Sequence, residues 1–133
     1  MPISGLTIKQ DATSLTVVGG TDISYTEDGV EVTNGKHVSD VSEADFTIRP
    51  NITVRNRNPS LLASGQYSKA KRSITIVIPK KLADDSTSFN LVRMEIEIHP
   101  ESTAAEILDL VLQAAQLLSQ TDTENFINYG SIA

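Results

Sequence analysis

The 133-residue chain has no cysteine and no tryptophan. Without thiols there is no disulfide framework, no thiolate metal site and no cysteine nucleophile. Long hydrophobic runs are missing too: nowhere do about 18 apolar residues follow one another, the length a membrane helix requires. The opening MPISGLTIKQ has neither the basic start nor the apolar stretch of a secretory signal. The sequence therefore predicts neither membrane spanning nor secretion. A glycine-rich phosphate loop is lacking as well, because Gly19-Gly20 is not followed by a helix and a lysine. What remains is the composition of one soluble globular domain, 39% hydrophobic and 21% charged. At this length a domain buries roughly two-thirds of the surface its unfolded chain exposes.

The net charge of −6 argues against a polyanionic partner until its distribution is considered. Residues 1–45 hold eight acids and two bases, and residues 84–133 hold nine acids and one base, Arg93. Between them, residues 46–83 hold eight bases and no acid. Screening confines charge interactions to about 8–10 Å, so a local cationic segment attracts polyanions whatever the molecular total.

That cationic segment is patterned as strands. Across Phe46–Arg57, Ile48, Ile52 and Val54 share one parity, while Arg49, Asn51, Thr53, Arg55 and Arg57 share the other. Pro50 places firm pairing only from Asn51 onward. In the second strand Ile74, Ile76 and Ile78 alternate with Lys71, Ser73, Thr75 and Val77, and Pro79 is expected to end it. In the third, Val92, Met94, Ile96 and Ile98 alternate with Arg93, Glu95 and Glu97. Residues 79–88 read as a polar loop too short for a helical crossover, so the strands are antiparallel neighbours. Upstream, Leu6–Ile8 and Leu15–Val18 read as a hairpin over residues 5–20. Val30–Thr33, followed by Asn34-Gly35, reads as a short strand and turn.

Thr103 and Glu106 have the spacing of a capping box. Ile107, Leu110, Val111, Ala114, Leu117 and Leu118 then recur at helical spacing, with Leu108 and Ala115 widening the stripe. Phe126, Ile127 and Tyr129 suit a short second helix. The expected elements are a hairpin at 5–20, strands at about 46–57, 71–79 and 89–99, and helices at about 102–120 and 123–128. This is a single α+β domain. An N-terminal hairpin and an antiparallel sheet of five to six strands precede two helices packed on one face. The uncovered face keeps the Arg, Lys, Asn, Ser and Thr side chains, a platform of the kind that binds nucleic acid.

Catalysis has little support. His37 and His99 stand in different regions without a triad pattern. Glu95 and Glu97, two residues apart on a strand, read as a solvated face, and Asp84-Asp85 reads as a loop tip. The sequence predicts no enzyme, no cofactor and no metal.

At these strands the chain resembles the coat proteins of single-stranded RNA bacteriophages, the leviviruses. The likeness is carried by Lys71–Lys80, by Arg93–Ile98, by the helices after Glu101 and by the small-residue ending Asn128–Ala133. The order of elements matches over nearly the whole chain. The resemblance implies an interlocked homodimer whose sheets join edge to edge, with each helix pair over the partner's sheet. Such dimers close into an icosahedral virion, assembled in the bacterial host cytoplasm, with the polar sheet face inward. It implies genomic RNA, and an operator hairpin bound in translational repression, as partners. The RNA-binding side chains it implies are Arg49, Asn51, Thr53, Arg55, Arg57, Lys71, Ser73, Thr75 and Arg93. Leu91 stands where some relatives stack a tyrosine on a base, and Glu95 and Glu97 would repel phosphate. The alternative is a dimeric RNA-binding regulator that forms no shell.

Overall fold

The computed structural model describes residues 8–131. It comprises two compact units: Gly20–Pro100, and Glu101–Ala133 with the N-terminal segment to Gly19. The first unit is a five-stranded antiparallel sheet in sequence order: β1 (Thr26–Glu27), β2 (Gly35–Ser39), β3 (Asn51–Arg57), β4 (Ala70–Lys81) and β5 (Thr87–Ile98).

The register makes the alternation physical. One face carries the rows Val38–Ile52–Ile76–Val92 and Lys36–Val54–Ile74–Met94. The other carries His37–Thr53–Thr75–Arg93, Arg55–Ser73–Glu95 and Arg57–Lys71–Glu97. A one-residue slip would exchange the two faces, so the period-2 pattern itself specifies the pairing.

Pairing of β3 begins at Asn51, as Pro50 implies. Before it, Phe46–Ile48 forms a turn of 3-10 helix capped by Asp45, whose side chain accepts from the Thr47 amide and hydroxyl. The strand expected from residue 46 is thus helical at its start. Pro79 does not end β4: it pairs with Phe89, and the ladder continues to Lys81–Thr87. Because β3 reaches only Val77, this end of β4 has one neighbour, and an open strand side tolerates a proline. The expected 79–88 loop shrinks to a tight turn. There Asp84 Oδ1 accepts from the Ser86 amide and hydroxyl at 3.1 and 2.5 Å, and Asp85 takes a positive φ of 65°. Val30–Thr33 forms no strand; the strand is Gly35–Ser39, just after the Asn34 turn.

In the second unit, α1 (Ala104–Ser119) starts at the expected capping box, with both reciprocal bonds between Thr103 and Glu106 present. Thr103→Ala should cost about 1 kcal/mol, read as a lower midpoint in denaturant unfolding. An unchanged midpoint would show that the cap does not hold the helix. Helix α2 (Thr121–Tyr129) follows after a break at Gln120 and ends at Gly130, whose left-handed φ of 70° lets its amide reach back to Phe126 O.

The hairpin expected at residues 5–20 does not appear among the described residues. Leu6 and Thr7 lie outside them, and Leu15–Val18 pairs with no strand among the described residues. The backbone nearby is satisfied by helix side chains instead. Lys9 N donates to Gln116 Oε1 (2.9 Å), Gln116 Nε2 donates to Lys9 O (3.0 Å), and Asp11 N donates to Asp109 Oδ1 (2.7 Å). A Val/Thr-rich alternation shows that a segment can pair, but not with what.

The single chain has almost no core. Among the described residues, only Ala70 and Leu112 are buried apolar side chains. Most of the apolar stripe of α1 is open to solvent, as are Val54, Ile78 and Val92 of the sheet.

Candidate nucleic-acid interface

The polar sheet face holds most of the residues expected on it. Thr53, Arg55, Ser73, Thr75, Arg93 and Glu95 line one concavity of about 590 Å³. Arg57 and Lys71 line an adjoining one that shares Arg55, Ser73 and Glu95. Asn51 sits at the margin, opposite Val77, and its Nδ2 donates to Arg49 O (3.4 Å). Arg49 is not brought to the face. It precedes β3, and its Nε donates to Glu43 O (2.7 Å), because the 3-10 turn breaks the strand parity on which its placement rested.

The cations differ in how free they are. Lys71 Nζ lies 3.0 Å from Glu95 Oε1 and 3.3 Å from Glu97 Oε1. Hydrogen bonds to these two carboxylates, Glu95 first, raise its pKa above the ordinary lysine value. Register explains the contact: Lys71 is opposite Glu97 and diagonal to Glu95, within reach of a long side chain. By contrast, Arg55, Arg57 and Arg93 make no ion pair among the described residues. The charge available to a ligand is therefore chiefly arginine, the side chain best suited to grip phosphate with two parallel bonds.

Strand β2 adds a residue that the sequence reading left out. His37 lies on the polar face opposite Thr53, and its Nδ1 is 2.9 Å from Asp28 Oδ1. The same carboxylate oxygen accepts from the Val30 amide (3.3 Å), which ties the β1–β2 connection to the strand. The His37 bond holds the Asp28 carboxyl below its ordinary pKa, against the opposing effect of burial. The period-2 spacing of His37 and Ser39 after the Asn34-Gly35 turn was the available signal.

This bond makes a pH prediction. A carboxyl depressed by folding contributes stability that is fully present above its unfolded pKa and lost as pH falls through the folded one. Asp28→Asn should therefore flatten the acid limb of the stability–pH curve below about pH 4. An acid limb identical to that of the unsubstituted chain would show that Asp28 does not carry this dependence.

Among the described residues there is no group of three or more side chains able to hold a metal ion, and no helix long and apolar enough to cross a membrane. The arrangement defines a class: one antiparallel sheet with an arginine-bearing polar face and an apolar face, followed by two helices. Solved structures share the fold. The chain is 41% identical to one described as the virus-like particle of bacteriophage GQ-907, with a TM-score of 0.91 over 98% of this chain and 99% of that one. It also matches the virus-like particle of bacteriophage AVE019 (14% identity, TM-score 0.69, 97% and 98% covered). A third match is the virus-like particle of Beihai levi-like virus 21 (12%, 0.60, 85% and 97%). At those lower identities the likeness is one of fold alone. No protein-family model and no curated protein sequence matches the chain. The chain belongs to the coat-protein family of the levi-like bacteriophages, a family of structural capsid proteins rather than enzymes.

Proposed function

We propose that the chain builds the shell of a levi-like phage and packages single-stranded RNA against its polar sheet face. The observation that carries the shell reading is how few apolar side chains are fully buried among the described residues. Leu110, Leu118, Phe126 and Ile127 are each about half exposed, and so are Ile78 and Val92. Burying one such side chain fully is worth roughly 1.5–3 kcal/mol, so each half-exposed one leaves part of that gain unrealised in the isolated chain. A second copy supplies the cover. The sheets join edge to edge and each helix pair covers its partner's apolar face, giving an interlocked dimer that is the unit of the shell. The near full-length likeness to a chain solved as a virus-like particle supports assembly beyond that dimer.

The RNA reading is supported by Arg55, Arg57 and Arg93, which share one face without acidic ion partners among the described residues, and by the hydroxyls of Thr53, Ser73 and Thr75 between them. Guanidinium groups hold phosphates, and hydroxyls contact bases or sugars without adding charge. Asn51 at the margin extends the surface. Lys71 contributes less than its charge suggests because two carboxylates share it. Operator binding, and with it translational repression, would use this same face, and the virion would form in the host cytoplasm.

The test is the salt dependence of single-stranded RNA binding by the full chain. Each phosphate contact should add about −0.7 to the slope of log affinity against log salt, so three arginines give a slope near −2 or steeper. Binding that does not change with salt, or no binding at all, would contradict the RNA face.

A further inference from the structure

We propose that Glu95 reads an unpaired guanine base, so that the polar face selects RNA sequence as well as holding phosphate; this rests on the RNA reading above. The motivating oddity is a carboxylate in a cationic concavity, with Arg55 and Arg93 alongside and Thr53, Ser73 and Thr75 around it. A surface built only to hold phosphate has no use for an acid there, since the acid repels the backbone. Lys71 offsets part of that charge, but it is shared with Glu97 and sits on one oxygen, Oε1. Among the described residues no hydrogen bond or ion pair engages Oε2, and the Glu95 side chain is 54% exposed.

An ionised carboxylate only accepts hydrogen bonds, so its ligand must present donors. Single-stranded RNA exposes Watson–Crick edges to protein side chains. Guanine alone offers two adjacent donors there, N1–H and the N2 amino group, which match the two carboxylate oxygens. Adenine and cytosine set an acceptor beside their amino group, and uracil flanks its single N–H with two carbonyls. Each of these would put an acceptor against the second carboxylate oxygen. Arg55 and Arg93 then take the flanking phosphates, as arginine does throughout nucleic-acid recognition. Glu97 also touches Lys71 but does not line this concavity, so it serves as the internal control.

The experiment measures binding of the full chain, at a concentration too low for assembly and at fixed salt, to two short uridine-rich RNAs. One carries a single guanosine and the other inosine, which keeps N1–H and lacks the N2 amino group. The guanosine RNA should bind about tenfold tighter, the size of one well-placed base contact. Glu95→Gln should erase that ratio, because the guanosine RNA loses the contact to its N2 amino group, while the removed repulsive charge acts on both RNAs alike. Glu97→Gln should keep the ratio. Equal binding of the two RNAs by the unsubstituted chain, or a ratio that survives Glu95→Gln, would overturn the assignment while leaving the RNA face intact. Failure of the unsubstituted chain to bind either RNA would overturn the RNA reading and this inference together.

Discussion

Gly35→Ala should lower the stability of the sheet by about 3 kcal/mol, at the upper end of what overpacking costs. Gly35 opens β2, directly after Asn34 with its positive φ of 56°, and pairs with Arg55. A Cβ at this position would stand 2.0 Å from Val54 O, 3.0 Å from Val54 C and 3.1 Å from Arg55 Cα. All three are backbone atoms of β3, so no rotamer change relieves the clash. Either β2 moves away from β3 or β3 bends, and both outcomes disturb the ladder that sets His37 opposite Thr53. The expected result is a lower unfolding midpoint and a lower yield of assembled protein. Gly65→Ala is the useful contrast, since open space surrounds that position and only its positive φ of 83° is strained. If Gly35→Ala unfolded at the same denaturant concentration as the unsubstituted chain, β2 and β3 could not lie this close.

The second large effect is expected at the arginines. Arg55→Ala combined with Arg93→Ala should weaken single-stranded RNA binding about tenfold for each guanidinium removed. The salt slope should become shallower by about 1.4, two contacts at about 0.7 each. Both side chains line the central concavity and neither has an ion partner among the described residues, so removing them leaves no buried charge unpaired. The fold should survive, and particles should form with less RNA, read as a lower ratio of absorbance at 260 to 280 nm. Lys71→Ala is a poorer probe. It removes one cation and also releases Glu95 and Glu97, so any loss mixes a missing contact with new repulsion. Undiminished RNA content in the double arginine variant would place the RNA elsewhere.

Much of this was legible because a half-buried strand writes its two faces into alternate residues. Thr53, Arg55, Ser73, Thr75 and Arg93 share a face in the structure for the same reason they share parity in the sequence. The Thr103–Glu106 cap was equally plain, since its chemistry is local. Parity failed where the chain stops being a strand. Arg49 counts as a member of the polar row only if residues 46–50 are extended, and Asp45 instead caps a 3-10 turn there. Pro79 shows the reverse error: a proline signals a strand end only when both sides of the strand are paired. The Lys71 clamp depends on cross-strand register, which no single-strand pattern contains. The apolar stripe of α1 is plain in the spacing, while in the single chain Leu112 is buried and Leu110, Leu117 and Leu118 are open. Periodicity identifies the apolar face without saying which molecule covers it.

The most direct test is to express the full chain alone in bacteria and examine the purified product by electron microscopy together with nuclease digestion. The expected product is closed shells enclosing RNA that resists nuclease until the shells are opened. A soluble dimer or monomer that never forms shells would contradict it, and shells empty of RNA would contradict the role given to the polar face.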